Sequence, residues 1–199
     1  MWASVISTID FEGTVLFNQL SQGSPLLAKT AFFCAHYLIF VLFIIPLTVI
    51  VLDRDTNKRF FGWRVVAQSL LAIIVATAIG YVLGALVGRP RPFISYPNDI
   101  IPYGFLPASS SFPSAHAWIA SAFATTFLFH LHFRKMGWWL VVIAVLVALS
   151  RVVVGMHYLS DVSVGLILGV VSAYMVTQYG PVVLSWLIAR RGKLSADRY

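Results

Sequence analysis

Long apolar stretches alternate with short polar connections along most of the chain. Five of the stretches approach the length of about 20 mostly apolar residues that a helix needs to cross a bilayer. They lie at roughly 31–52, 65–87, 114–131, 137–156 and 162–183. The pattern predicts an all-α integral membrane protein, built as a bundle of five transmembrane helices.

The N-terminal segment follows a different pattern. Asp10 and Glu12 interrupt apolar positions such as Ile9 and Leu16. This mixture predicts an amphipathic segment at the membrane interface, or a sixth spanning helix if the segment enters the bilayer. A cleaved signal peptide is not expected, because two acidic residues stand where its apolar core should be and no basic region precedes them.

Composition agrees with a membrane protein and excludes a soluble globular domain. The 199 residues are 59% hydrophobic and 11% charged, whereas a soluble domain has about 25% charged residues. The mean hydropathy is +0.86. Cys34 is the only cysteine, so an internal disulfide is excluded.

Basic residues set the orientation and explain the net charge of +7. In a five-span topology, ten of the 14 Lys and Arg residues share one side of the membrane. They are Arg54, Lys58, Arg59, Arg64, Arg134, Lys135, Arg190, Arg191, Lys193 and Arg198. Because Lys and Arg concentrate on the cytoplasmic side, we expect an external N-terminus and a cytoplasmic C-terminus. The charge is then a topology signal, and no nucleic-acid partner is expected.

The whole chain, 1–199, is expected to form a single membrane-embedded domain. Its parts would be an interfacial segment at 1–28, a transmembrane bundle at 29–188 and a cytoplasmic basic tail at 189–199. The pattern indicates no particular oligomeric state.

The remaining ionisable groups of interest gather on the external side of this topology. They are Arg89, Arg91, His116, Arg151, His157 and Asp161. Ionisable groups at or inside a bilayer are costly and by default indicate function. We therefore place the candidate chemistry at the external end of the bundle.

Spacing gives these residues a chemical interpretation. If the fifth span begins near His157, Asp161 lies on the same helical face. A carboxylate there can keep one imidazole nitrogen protonated and leave the other as nucleophile or base. The alternative is a polar pair that caps a helix. The guanidinium groups of Arg91 and Arg151 match phosphate or carboxylate, although single arginines at span ends also serve as anchors.

A helix N-terminus is predicted beside two of these candidates. Pro113 suits a first helical turn, and Ser114 and His116 follow it closely. Exposed N–H groups and the positive end of the helix dipole favour an anion at such a place. The sequence offers no cluster of Asp, Glu or Cys for a metal, so a phosphatase without metal or other cofactor is the simplest hypothesis.

These residues resemble the type 2 phosphatidic acid phosphatase superfamily, whose pattern consists of three blocks. The second and third blocks are complete, and the first keeps only its second half, with Gly84 where the family places a lysine. The matching residues are Arg91-Pro92, then Pro113-Ser114-Ala115-His116, then Ser150-Arg151, His157 and Asp161. The superfamily includes membrane-bound phosphatases, which agrees with the predicted fold.

The resemblance implies a role for each matching residue. His157 would attack phosphorus and form a phosphohistidine, and Asp161 would orient its ring. His116 would protonate the leaving oxygen and then activate water. The phosphoryl oxygens would be bound by a further set, consisting of Arg91, Arg151, Ser114 and the amide of Gly155. Arg89 is the candidate to replace the missing lysine, because it lies close to Arg91 in the chain.

A narrower resemblance concerns the substrate. The missing lysine, the lead-in to Pro113 and the stretch 17–21 are similar to bacterial undecaprenyl pyrophosphate phosphatases associated with bacitracin resistance. This implies hydrolysis of a polyprenyl pyrophosphate lipid at the outer face of the bacterial cytoplasmic membrane. The alternatives are phosphatidylglycerophosphate, phosphatidic acid or another lipid phosphate as substrate, and, outside enzymes, transport of an anion or a lipid.

Overall fold

The structure is a computed structural model that describes residues 2–104 and 106–196, with side chains described for 8–104 and 106–182. This part of the chain folds into eight α-helices and contains no strand. The helices are α1 Trp2–Gln22, α2 Pro25–His36, α3 Leu38–Leu52, α4 Thr56–Val87, α5 Pro92–Ser95, α6 Ala115–Phe129, α7 Arg134–Val153 and α8 Leu159–Ala196. The prediction of an all-α integral membrane protein is confirmed.

The predicted spans all form helices, with different boundaries. The stretches Thr56–Ser95, Leu131–Val153 and Leu159–Val182 are long and apolar enough to cross a membrane. The first predicted span is broken at Tyr37, where α2 and α3 meet at an angle of 52°. Counted as one span, this pair is a fourth candidate within the described residues, and the shorter apolar α6 lies among them.

Helix α4 begins well before the predicted span at 65–87. Asp55 is its N-cap, and its carboxylate accepts hydrogen bonds from the backbone N–H groups of Asn57 and Lys58, which satisfies donors that a helix start leaves free. The basic residues Lys58 and Arg59 therefore lie on the first turn of a helix and not in a loop.

The short helix α6 is the centre of the bundle. It packs against α4, α7 and α8, and ten of its 15 residues are buried. Contact with α8 is close because Gly165 and Gly169 face it. A Cβ atom on Gly169 would collide with the Ser121 side chain and the Trp118 carbonyl. Helix α6 is thus enclosed by protein, which explains how it tolerates Ser and Thr side chains in an apolar bundle.

Helix α1 turns its polar face toward the protein and its apolar face outward. Asp10, Thr14, Asn18 and Ser21 recur at helical spacing and are all buried, at 7% exposure or less. Apolar residues such as Leu16, 60% exposed, cover the opposite face. The amphipathic pattern was predicted, but the polar face contacts the loops at one end of the bundle.

Those contacts involve backbone groups that are distant in sequence. The Asn18 side-chain amide donates to the carbonyl oxygens of Ile101 and Val153, both at 2.9 Å, and its oxygen accepts from Ile101 N–H at 3.0 Å. The Asn18 amide therefore satisfies backbone groups that would otherwise need water as their hydrogen-bond partner.

The predicted basic tail falls largely outside the described residues. Helix α8 continues to Ala196. The side chains of Arg190, Arg191 and Lys193, and all of Arg198, lie outside the described part of the chain.

Candidate active site

A cavity of about 440 Å³ opens at the end of the bundle where α4 and α7 finish and α6 and α8 begin. Four of the predicted site residues line it together, and they come from four different segments. These residues are Arg91, His116, Arg151 and His157. The remaining predicted residues, Arg89, Ser114, Gly155 and Asp161, do not belong to its lining.

His157 lies in the turn between α7 and α8 and is 4% exposed. Helix α8 begins at Leu159, so His157 precedes the helix on which the spacing argument placed it. Its Nδ1 lies 2.7 Å from the carbonyl oxygen of Ser111. A carbonyl oxygen can only accept, so we assign the proton of the neutral ring to Nδ1. The lone pair is then on Nε2, which lies 3.3 Å from Nη1 of Arg91.

Asp161 lies behind His157, in the first turn of α8. Its Oδ2 is 3.7 Å from His157 Nδ1, which is too long for a hydrogen bond, and it accepts from the backbone N–H of Tyr158 at 2.9 Å. The Ser111 carbonyl therefore makes the hydrogen bond that holds the ring, while Asp161 supplies a buried negative charge beside it.

Burial lowers the pKa of the His157 imidazole below its ordinary value, and the charges of Arg91 and Arg151 lower it further. The nearby Asp161 carboxylate opposes this shift. The desolvation of the charged form is the largest cause. The ring is consequently neutral near pH 7, as a nucleophile must be.

Arg91 follows α4 and joins the two loops of the site. Its Nε donates to the Ser109 carbonyl oxygen at 3.0 Å, and its Nη1 donates to the Met156 carbonyl oxygen at 2.9 Å. Nη2 donates to Ser109 Oγ at 3.1 Å and the Ser110 carbonyl oxygen at 3.3 Å. The guanidinium is fixed at the side of the cavity where His157 Nε2 points.

Arg151, in the last turn of α7, is 5% exposed. Its Nη1 donates to the Ala35 carbonyl oxygen at 3.2 Å, and its buried Nε has no hydrogen-bond partner. Neither Arg91 nor Arg151 is paired with a carboxylate among the described residues. Two buried cations without a counter-ion thus border the same cavity, a costly arrangement that an anion would compensate.

The N-terminus of α6 supplies His116 in its first turn and Ser114 as its N-cap. Pro113 lies before the helix and not in its first turn. Ser114 is buried, its N–H donates to the Asp161 carbonyl oxygen at 3.0 Å, and its Oγ has no partner. The prediction of a helix N-terminus beside the site is confirmed, and the backbone N–H of Ser114 is bonded to α8.

Arg89 points away from the cavity. Its Nη2 donates to Asp10 Oδ2 at 2.6 Å, and its Nη1 donates to Asp161 Oδ1 at 2.9 Å. Its guanidinium also lies over the Tyr158 ring, 3.5 Å from the ring centre. In this position Arg89 does not border the cavity, and its replacement of the missing lysine stays a prediction.

The structure also shows the surroundings of the two glycines named in the sequence analysis, Gly155 and Gly84. Gly155 has a φ of +74°, which favours glycine, and its N–H donates to the Val152 carbonyl oxygen at 2.9 Å. Its amide is therefore engaged in the turn. Gly84 does line the cavity, where a Cβ would lie 3.0 Å from the Phe112 carbonyl oxygen.

Sequence reasoning missed two groups, the Ser111 carbonyl and the Asp10 carboxylate. The carbonyl carries no signal, since every residue has one. Asp10 could have been identified from the sequence, because it falls on the same helical face as the polar residues Thr14 and Asn18. Within the described residues, no group of three or more His, Cys, Asp or Glu side chains is arranged to hold a metal ion.

A multi-pass helical bundle with two buried arginines and two histidines at a cavity is typical of an integral membrane protein that binds an anionic group. Comparison with known proteins specifies the family. Residues 65–184 match the model of the PAP2 superfamily, a range that includes the four predicted site residues that border the cavity. The chain belongs to the PAP2 superfamily and is a membrane-bound phosphatase.

Individual relatives agree with this membership. The chain is 32% identical to the bacitracin transport permease protein BcrC of Bacillus licheniformis, over 88% of this chain and 82% of the relative. It is 29% identical to the undecaprenyl-diphosphatase BcrC of Bacillus subtilis, over 84% and 82%. The crystal structure of Aquifex aeolicus LpxE superposes with a TM-score of 0.66 at 26% identity, covering 84% of this chain and 94% of LpxE.

Proposed function

We propose that the protein hydrolyses undecaprenyl pyrophosphate to undecaprenyl phosphate and inorganic phosphate at the extracytoplasmic face of a bacterial cytoplasmic membrane. The observation that carries the proposal is the pair of buried arginines, Arg91 and Arg151, that border a cavity with two histidines and have no carboxylate partner among the described residues. Their counter-ion would be the terminal phosphate of the substrate. The name of the Bacillus subtilis relative supports the choice of lipid.

The reaction would pass through a phosphohistidine. Nε2 of His157 attacks the terminal phosphorus with its lone pair, and the bond from that phosphorus to the bridging oxygen breaks. His116, whose protonated form the negative charge of the bound pyrophosphate would favour, gives a proton to that oxygen, so undecaprenyl phosphate leaves. Water then attacks the phosphohistidine, His116 takes a proton from it, and phosphate departs as His157 regains its lone pair.

The surroundings of His157 suit this sequence. Its Nδ1–H remains bonded to the Ser111 carbonyl oxygen throughout, so the ring does not turn. Positive charge develops on the imidazole as the nitrogen–phosphorus bond forms, and Asp161 lies 3.7 Å away to stabilise it. Arg91 and Arg151 would stabilise the charge on the phosphoryl oxygens, where fixed donors contribute about 3 kcal/mol each.

The proposed orientation rests on the charges at the two ends of the bundle. Arg54, Lys58, Arg134 and Lys135 lie at the end opposite the cavity, at the start of α4 and of α7. Under the positive-inside rule this end is cytoplasmic and the cavity is external. Residues bordering the cavity do not extend to the other end, which disfavours transport through the bundle as the alternative.

Phosphate release by the purified protein tests the proposal. Undecaprenyl pyrophosphate, phosphatidylglycerophosphate and phosphatidic acid are compared with EDTA present, using His157→Ala as the inactive variant and the exposed His132→Ala as its matched control. We expect chelator-resistant turnover, fastest on the pyrophosphate, that is lost only in His157→Ala. Retained turnover in that variant would refute the mechanism, and a preference for a glycerolipid would refute the substrate assignment.

Rapid quenching tests the intermediate directly. With substrate labelled in its terminal phosphate, we expect label on the protein that is stable in base and labile in acid, as a phosphoramidate is. Absence of label under conditions of fast turnover would refute the covalent step.

A further inference from the structure

Asp10 belongs to the N-terminal helix, outside all three blocks of the family pattern, yet it contacts the segment that follows the nucleophile. Its Oδ2 accepts from Ser160 Oγ at 2.7 Å and its Oδ1 from Ser160 N–H at 2.8 Å. Oδ2 also accepts from Arg89 at 2.6 Å. With 7% exposure, this carboxylate is a fixed part of the protein interior.

Arg89 is bonded at the same time to Asp10 and Asp161. Its Nη1 donates to Asp161 Oδ1 at 2.9 Å and to Ser160 Oγ at 2.7 Å. Asp161 in turn lies 3.7 Å from Nδ1 of His157. A continuous series of charged groups therefore links α1 to the nucleophile.

The charges in this series explain why a second carboxylate matters. One guanidinium lies between two carboxylates, so the positive charge of Arg89 is shared. Without Asp10, only Asp161 would balance the positive charge of Arg89. The negative potential that Asp161 provides at the imidazole would then be weaker. The nucleophile already has Arg91 and Arg151 on its cavity side, and it gains positive charge during attack. Asp161 must keep enough negative charge to balance it.

We infer that Asp10 is a positioning residue for the catalytic histidine, acting through Arg89 and Asp161, and that Arg89 is a bridge between carboxylates and not a phosphate ligand. The inference rests on the proposed phosphatase function. Neither Asp10 nor Arg89 borders the cavity, so their removal should affect the chemical step more than substrate binding.

Steady-state kinetics with undecaprenyl pyrophosphate separate these effects, on variants whose folding is checked by thermal unfolding. We expect Asp10→Asn to lower kcat about 10-fold or more, the size of loss seen when a partner that orients a metal-binding side chain is removed, with KM changed by less than about 2-fold. Asp10→Glu should recover part of the loss. Glu12→Gln, an exposed carboxylate on the same helix, is the matched control and should match the wild type.

Variants of Arg89 test the same inference even if Asp10→Asn does not fold. Arg89→Lys keeps the charge but cannot bridge two carboxylates in a fork, so kcat should fall with KM preserved. A phosphate ligand would instead show a rise in KM. In an Arg89→Gln background, the further change Asp10→Asn should lower kcat by less than about 2-fold, because residues in one network are not additive.

Three results would overturn the inference. One is an active wild type with unchanged kcat in Asp10→Asn, which refutes the positioning role and leaves the proposed function intact. Another is a selective rise in KM in Arg89→Lys. The third is a wild type that cleaves no lipid phosphate, which refutes the proposed function and this inference together.

Discussion

Replacing Asn18 by alanine should destabilise the protein without touching the cavity. The side chain makes hydrogen bonds to Ile101 N–H and to the carbonyl oxygens of Ile101 and Val153, and accepts a fourth from Gln22. It is completely buried. The substitution removes all four bonds and leaves three backbone groups to find new partners.

The expected loss in the free energy of unfolding follows from counting those hydrogen bonds. Each contributes about 1 kcal/mol net, so the total is about 4 kcal/mol. Ile101 is 50% exposed, which lets water reach part of its backbone, and the Ser21 hydroxyl lies 3.4 Å from the Val153 carbonyl oxygen. Alanine is also the better helix former, by about 0.5 kcal/mol. The expected net loss is about 2–3 kcal/mol.

Thermal unfolding in detergent, followed by tryptophan fluorescence, measures this loss. For a chain of this size, the loss corresponds to a decrease in Tm of about 5–10 °C. The exposed neighbour Gln19→Ala is the matched control and should leave Tm unchanged. A Tm for Asn18→Ala within about 2 °C of the wild type would refute the reasoning, as would an equal decrease in the control.

Three further predictions concern the site. Arg91→Lys keeps the charge but loses the planar fork that joins Ser109 and Met156, so kcat/KM measured by phosphate release should fall about 100-fold; a fall of less than about 3-fold would show that charge alone suffices. Burial lowers the pKa of His157, so the acid limb of the pH profile of kcat/KM should lie below pH 6.5, about the ordinary pKa of histidine. Below that pH the unfolded chain binds a proton that the native ring does not, so stability should decrease as pH falls from about 6.5 toward the folded pKa. A Tm that rises as the pH is lowered over this range would contradict the predicted direction of the pH effect on stability.

The helices and four residues of the cavity lining were predictable from the sequence because both depend on local pattern. The length of the apolar stretches predicted the spans. Arg91, Arg151 and His157 were identified because they are ionisable groups on the external side that the positive-inside rule does not explain. Their assembly around one cavity needed only the assumption that they share a side of the membrane. Their catalytic roles remain predictions.

Other features of the site could not be predicted, for physical reasons. An amphipathic pattern shows that a helix has two faces but not which of them meets protein, and α1 turns its polar face inward. The direction of Arg89 depends on where Asp10 lies in three dimensions. The atom that bonds His157 Nδ1 is a backbone oxygen of Ser111, whose side chain is irrelevant to that contact.

The inward polar face of α1 has a consequence for biosynthesis. The ribosome makes α1 before the other described helices, but the backbone partners of Asn18 lie 83 and 135 residues further along the chain, and Ser160 lies 150 residues after Asp10. Until then, Asn18 has only Gln22 of its own helix among its side-chain partners, and most of the polar face of α1 must bond to water or lipid headgroups. Docking of α1 must therefore be a late event. The nascent chain would carry α1 unattached until the segments around Val153 and Ser160 have been made, and the site would form only when α1 meets them.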